Sequence, residues 1–560
     1  MQNSLAVTGG NLTIGSVVDV ARLGHKVVLG PSVKDRIRKS REYVEKAVEL
    51  ILDPTVDESV WKTRLIYGVT TGFGCHKEFI VQNRSEAEQL QTNILLSHAC
   101  GVGDRLDPET VRAVLLLRLN SLAKGHSGVR YELLEFLTEL LNSRIHPIVP
   151  EQGSVGASGD LCPLAHAALV LLGRGEASED SLSESGGGWV RGKVVDGAAA
   201  LEKIRTKLTG KGIDVPFKLS YKEGLALTNG ATVMTAIGVM AHHDAGQLLK
   251  HADIAGAMTL EAIGGRTRAF DPKVHAARPF AGQGTSAANV CRLVEGSQLT
   301  DRNGDVHDAY SVRCLPQVHG AVRDAADYVR RILETELASA TDNPLFFEPS
   351  PPPLDGLKEK WDYSAGNYHG EPVALAMDFL GLALAEIGSI SERRTQKLLD
   401  KHHNCGLPSN LTHNPRIHSG LMMVHYTAAA LVSENKVLCH PASCDSIPTS
   451  SNIEDHVSMG TVAARKARRI LENVENVVAI ELLCAAQALD FRKGRLAGLS
   501  PDAFRGEPGR GTQAALEAIR QIGIAPLVED REPSPDIVRM KGLIESGRIV
   551  MEVEEEIGGL

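Results

Sequence analysis

The chain has 560 residues, of which 43% are hydrophobic and 23% charged, and a formal net charge of −9. This is the composition of an ordinary globular protein long enough to bury a large core, and the modest negative charge argues against the basic footprint of a nucleic-acid binder. No run of about eighteen apolar residues is expected to span a membrane. Residues 1–20 lack a basic segment followed by an apolar one, and nine cysteines without a Cys-x-x-Cys pair read as reduced thiols of a cytoplasmic protein.

In chain order, residues 17–29 form a short amphipathic segment, and 33–52 a helix with Val44, Val48 and Ile51 on one face. Residues 66–74 (Ile-Tyr-Gly-Val-Thr-Thr-Gly-Phe-Gly) are a glycine-punctuated loop around Tyr67, either a mobile lid or a surface loop. Helices follow at 85–96, 108–123 and 131–141, with His98 at a helix end, where histidine caps, packs or binds. The stretch 174–197 is rich in Ser, Glu, Asp and Gly, and reads as a solvated excursion with a hairpin near 189–195. Residues 221–230 open a helix running to about 260.

From there the helical signals lengthen to 321–338, 372–399, 422–437 and 458–489, the last carrying Ile470, Val474, Val477 and Val478 at core spacing. The proline-rich segment 349–353 reads as a loop and the acidic tail 550–560 as frayed. The fold class is mainly α, with an N-terminal domain over 1–215 and an elongated helical bundle over 216–560. Phosphate-loop, dinucleotide and His-Glu-x-x-His motifs are missing, and His402, His403 and Cys405 fit no zinc spacing, so no metal is expected.

The stretch 153–161 (Gly-Ser-Val-Gly-Ala-Ser-Gly-Asp-Leu) admits two readings. In one, Ser158 caps a helix, Asp160 sits at its positive end and Pro163 lies in the first turn. In the other, the Gly159 amide nitrogen attacks the Ala157 carbonyl carbon, where a missing Cβ removes crowding. Loss of water then closes a five-membered ring, and loss of the Ser158 hydroxyl leaves an exocyclic methylene, an electrophile that no side chain supplies.

Six ordered motifs carry a resemblance over nearly the whole chain: 67–74, 153–160, 225–230 (Leu-Ala-Leu-Thr-Asn-Gly), 308–314 (Asp-Ala-Tyr-Ser-Val-Arg-Cys), 341–344 (Thr-Asp-Asn-Pro) and 366–370 (Gly-Asn-Tyr-His-Gly). Together they resemble the ammonia-lyase and aminomutase superfamily that uses a 4-methylideneimidazol-5-one group. The resemblance implies that Ala157, Ser158 and Gly159 cyclise into that group without an external cofactor. Within the superfamily, 93–101, 440–450 and 452–460 resemble the histidine-deaminating members, with Glu454 where the phenylalanine and tyrosine lyases have glutamine. A carboxylate accepts an imidazole N–H or its proton, and an amide cannot act as that base; His98 would supply a second imidazole contact.

The resemblance further implies Tyr67 as first and Glu454 as second base for the β-proton. Arg313 pairs with the substrate carboxylate, Tyr310 and Asn343 support it, and Asn229 takes the amine or the electrophile's carbonyl. A tyrosine base needs its pKa lowered from about 10, for which helix N-termini are the expected source. It also implies a homotetramer of small-molecule enzymes, each site shared between chains. Two positions depart from the family pattern: His307 stands where glutamine is usual, and Tyr368 adds a hydroxyl to the Gly-Asn-Phe-His-Gly motif. The rivals are a tyrosine or phenylalanine ammonia-lyase, a 2,3-aminomutase, and a non-catalytic scaffold.

Overall fold

In a computed structural model, residues 4–53, 55, 65–183, 188–347 and 361–560 are described. The proline-rich stretch 349–353 and part of the excursion, 184–187, lie outside them. The amphipathic segment expected at 17–29 divides in two. Ile14–Ala21 is a helix closed by a Thr13/Ser16 capping box, and Lys26–Leu29 is a strand parallel to Ser4–Val7. Val27 is buried between exposed Lys26 and Val28, a period of two that belongs to a strand.

The helix at Val33–Leu52 forms where expected, with Val44 and Val48 fully buried. Pro108–Ala123 starts where Asp107 accepts the Thr110 N–H at 2.8 Å and Pro108 occupies the first turn. The excursion is a pair of nested hairpin ladders, Glu176–Glu179 with Val194–Asp196 and Ser181–Leu182 with Trp189–Val190. Trp189 closes it by donating to the Ala21 carbonyl at 2.7 Å.

The helix expected from 221 to 260 is also two. Glu223–Thr228 stops at Asn229, and Thr232–Ala262 starts afresh. The chain breaks there because Gly230 is pressed against the Thr341 carbonyl and pairs with Gly159 in a short parallel bridge. That break positions the site.

The chain resolves into two compact units, each made of separate segments. The first comprises Met1–Met240, Arg331–Met377 and Pro441–Arg465. It holds all the small sheets, and a fully buried Lys222–Asp342 ion pair at 2.7 Å anchors the strand of chain before Asn343.

The second unit comprises Ala241–Arg330, Asp378–His440 and Lys466–Leu560. Its core is built from the long helices: Val474, Val477 and Val478 are fully buried, as their spacing predicts. The fully buried Glu481 carboxylate receives Arg394 through Nε at 2.6 Å and Nη2 at 2.9 Å, Thr259 Oγ1 at 2.9 Å and Ser391 Oγ at 2.7 Å. The tail, expected to fray, is instead the helix Arg548–Ile557, with Ile549, Val550 and Val553 buried. Its acidic residues occupy the outer face of an amphipathic helix. The helix Glu371–Leu399 carries an 18-residue stretch of mean hydropathy 1.8, and 61% of that stretch is buried in the fold.

Candidate active site

Ala157, Ser158 and Gly159 do not begin a helix. The helix Leu161–Leu169 starts after them, and Ser158 caps nothing. Gly159 has φ +75°, and a Cβ there would lie 2.2 Å from the Gly230 carbonyl carbon, so only glycine fits. The segment is pinned on both sides: Gly230 N–H donates to the Ser158 carbonyl at 3.1 Å, and Asp160 N–H to the Gly230 carbonyl at 2.9 Å. Among the described residues no hydrogen bond occupies the Gly159 N–H. A bent backbone with a free glycine nitrogen fits the demands of a ring closure onto Ala157.

Asp160 serves a different helix from its own. Its buried Oδ2 accepts the N–H groups of Val233 and Met234 at 2.7 and 2.9 Å, at the start of Thr232–Ala262. Thr461 and Ser154 donate to Oδ1. Complete burial pushes this carboxyl above its ordinary range despite the four bonds, which pull the other way.

A cavity of about 980 Å³ opens over this segment, lined by Ala157, Ser158, Tyr67, His98, Asn229, Asn343, Tyr368 and Glu454 among others. Ser158 Oγ donates to Glu454 Oε1 at 3.0 Å, joining residues 296 positions apart. Glu454 follows a tight turn in which Ser450, Ser451 and Asn452 all have positive φ. The Ser450 side chain abuts Gly74 of the glycine-rich loop, where a Cβ would sit 2.5 Å from its oxygen.

The tyrosine loop lies against the cavity, which Tyr67, Gly72, Phe73 and Gly74 help to line. Gly74 N–H donates to the Tyr67 hydroxyl oxygen at 2.8 Å, and the Phe73 ring meets Tyr67 edge-on. Burial raises the Tyr67 hydroxyl above its ordinary value of 10, and the Glu454 charge adds to this; the Gly74 bond opposes it. The direction is opposite to the expected lowering, because the loss of water outweighs the Gly74 bond. Burial likewise holds His98 below 6.5, and so neutral at pH 7, against the pull of the Ile94 backbone and Glu454. Ser97 Oγ lies 2.9 Å from His98 Nδ1.

Asn229 donates through Nδ2 to the Asn343 carbonyl at 3.2 Å, and its buried Oδ1 finds no partner among the described residues. An unsatisfied acceptor at a cavity wall is suited to a ligand N–H. Asn343 Oδ1 accepts the Ala365 N–H at 2.8 Å, just beyond the short strand Asp362–Tyr363. Burial and the nearby Glu454 charge raise the Tyr368 hydroxyl.

Residues 12–521 match the profile of the aromatic amino acid lyase family. The chain belongs to that family. It is 48% identical to the histidine ammonia-lyase of Symbiobacterium thermophilum over 554 residues, covering 99% of each chain. Among solved structures, the histidine ammonia-lyase of Trypanosoma cruzi superposes with a TM-score of 0.82 at 36% identity, over 99% of this chain and 96% of that one. The tyrosine aminomutase of Streptomyces globisporus gives 0.83 at 36% identity, over 99% of both.

Two of the residues singled out from the sequence of this aromatic amino acid lyase are not at the cavity. Tyr310 and Arg313 belong to the second unit, where Tyr310 is 72% exposed and the Arg313 guanidinium lies 5.7 Å from its ring. His307 is exposed beside them. Sequence reasoning passed over the cavity residues His369 and His456, whose rings stack in parallel 5.9 Å apart, although both stand inside quoted motifs. It also passed over Thr449, which donates to Glu454 Oε2 at 2.9 Å. A hydroxyl residue before a serine-rich turn was the available signal, but only the turn's closure makes the contact.

Proposed function

We propose that this aromatic amino acid lyase eliminates ammonia from L-histidine to give trans-urocanate, using an electrophile formed from its own Ala157, Ser158 and Gly159. The observation that carries the reading is the 3.0 Å bond between Ser158 Oγ and Glu454 Oε1 in a cavity also lined by His98. It sets the precursor of the electrophile beside the carboxylate that distinguishes imidazole from phenyl recognition. The histidine ammonia-lyase identity of relatives at up to 48% over the full length supports the same substrate.

The bent glycine segment with its free Gly159 nitrogen fits the 4-methylideneimidazol-5-one group of the resemblance. When formed, that group would supply an electron-poor centre that makes the substrate's amine a better leaving group. The chain's own residues do the rest. Glu454 Oε1 accepts the imidazole N–H once the Ser158 hydroxyl is gone, and neutral His98 bonds the ring from the other side. Asn229 Oδ1 accepts from the amine.

The β-proton passes to Tyr67, with Glu454 as the second candidate. Because burial keeps Tyr67 protonated at neutral pH, the positive substrate amine entering the cavity is what favours its phenolate. Asn343 and Tyr368 support the substrate by hydrogen bonding.

Arg313 pairs with the substrate carboxylate, and with Tyr310 serves a cavity completed by neighbouring chains of a homotetramer. The exposure of Tyr310 and of apolar Phe379, Leu382, Met423, Tyr426 and Val437 on the long helices supports such an assembly. The nine free thiols accord with a cytoplasmic enzyme.

Purified protein incubated separately with histidine, tyrosine and phenylalanine, followed by product ultraviolet spectra, tests the reading. Urocanate from histidine is expected; its absence overturns the assignment. A β-amino acid product would instead favour the aminomutase reading, for which the likeness to tyrosine aminomutase is the supporting observation.

A further inference from the structure

The two oxygens of the Glu454 carboxylate have different partners. Oε1 receives Ser158 Oγ from the cavity at 3.0 Å, and Oε2 receives Thr449 Oγ1 from behind at 2.9 Å. Thr449 is joined to Glu454 twice more through the backbone. Its N–H donates to the Glu454 carbonyl at 2.9 Å, and the Glu454 N–H returns a bond at 3.3 Å. The four residues between include three with φ of +51°, +55° and +64° at Ser450, Ser451 and Asn452. Non-glycine residues in that region persist only where surrounding contacts hold them. Here the Thr449–Glu454 bonds bracket the turn, Ile453 N–H adds a bond to the Ser450 carbonyl at 3.1 Å, and the Ser450 side chain abuts Gly74.

A glutamate carboxylate turns easily about its last torsion, which has no sharp staggered wells. Left with two free oxygens, Glu454 would lose that freedom each time a ligand bound. With Oε2 already engaged, the carboxylate plane is set before the ligand arrives, and preorganisation of this kind improves affinity. On the proposed function, from which this inference follows, the Ser158 hydroxyl disappears when the electrophile forms. Oε1 is then the open acceptor in the cavity, and Oε2 keeps its bond.

We infer that Thr449 is a positioning residue for substrate recognition: its hydroxyl fixes the Glu454 carboxylate so that Oε1 faces the imidazole N–H. Thr449 touches no substrate in this account and acts only through Glu454.

The test uses the full-length enzyme and four variants: Thr449→Val, Thr449→Ser, Glu454→Gln and the Thr449→Val/Glu454→Gln double. Intact mass, reading the loss of two waters, verifies that each chain has formed its electrophile. Thr449→Val is expected to raise the KM for histidine about ten-fold, the size of one hydrogen bond to a charged group, with a smaller effect on kcat. Inhibition by trans-cinnamate, which has no imidazole, should not change. Thr449→Ser, which keeps the hydroxyl, should restore the wild-type KM. In the Glu454→Gln background, Thr449→Val should add nothing, because both changes remove one interaction.

The inference is overturned if Thr449→Val leaves KM unchanged, if Thr449→Ser is equally impaired, if cinnamate inhibition weakens as much as histidine binding, or if the two losses add in full. Should the valine variant fail to fold, Thr449→Ala gives the same hydroxyl-less reading. Failure of the functional reading shows itself separately. Glu454→Gln alone would then leave histidine turnover intact, and the role of Thr449 would fall with it.

Discussion

Two hydrogen-bonded glutamates, one fully buried and one half-buried at a cavity wall, do opposite things in this protein. Glu481, in the second unit, is saturated: Arg394 grips both oxygens, and Thr259 and Ser391 each add a bond. No acceptor capacity is left for anything outside the fold, and the group joins three helices. Glu454, in the first unit, is held on one oxygen by Thr449, while the other faces a cavity and a serine whose hydroxyl is lost in the proposed cyclisation. Burying a charge is costly unless it is paired and hydrogen-bonded. Glu481 meets that cost with an arginine; Glu454, only half-buried, incurs less of it and keeps one oxygen facing the cavity. The scaffold carboxylate and the site carboxylate thus differ both in burial and in the lone pairs left open.

The largest break of this contrast comes at the partner of Glu454. Ser158→Ala removes the only hydroxyl from which the electrophile can form, and turnover should vanish while the fold persists; unchanged activity with an unchanged mass would remove the cyclisation reading. Tyr67→Phe follows, with an expected loss in kcat of about a hundred- to ten-thousand-fold, the range for removing a general base. A loss below ten-fold would pass the role to Glu454. Glu454→Gln should then impair histidine by about ten-fold or more, as loss of a charged hydrogen bond does, and aromatic substrates less. If the order of substrates stays the same, the argument from the carboxylate fails.

On the scaffold side, Glu481→Gln leaves Arg394 buried and uncompensated. It should lower stability in a denaturant titration by about 3–5 kcal/mol, the cost of breaking one side of a buried pair, without a change in KM for the chains that remain folded. An equally stable variant would mean that Glu481 is not the keystone that its four bonds suggest.

The smallest effects are in pH. His98 is held below its ordinary 6.5, so activity that needs it neutral is present at and above pH 6.5 and is lost only as the pH falls through that lower value. Tyr67 is raised above 10, so activity that needs its phenolate should keep rising with pH beyond neutrality. Profiles of kcat/KM for the wild type and Tyr67→Phe read both limbs. An acid limb centred above 6.5 would contradict the His98 assignment, and an alkaline rise retained in Tyr67→Phe would contradict that of Tyr67.

Much of this was legible in the residues. The helix at Val33–Leu52 and the buried face of the long helix through Val474 and Val478 follow from a repeat of three and four residues, which a single strand of sequence carries in full. Where a period is short or double, tertiary context decides. Lys26–Leu29 became a strand because Ser4–Val7 offered it an edge. The helix from 223 broke at Asn229 because Gly230 had to meet Gly159. The tail became a helix because the apolar side formed by Ile549, Val550 and Val553 found a surface to cover.

The sequence by itself determined the parts: the Ala-Ser-Gly of the proposed electrophile, a tyrosine on a glycine-rich loop, and the glutamate proposed to select imidazole. These are properties of residue types, and local order carries them. Only the tertiary structure decided that Ser158 and Glu454, 296 residues apart, share a 3.0 Å bond, that Asp160 caps a helix other than its own, and that Thr449 stands behind Glu454. It also set the direction of the Tyr67 shift, against the lowering expected from the mechanism that the resemblance implies. A pKa answers to water, charge and hydrogen bonds gathered from distant parts of the chain, and those meet only when the chain has folded.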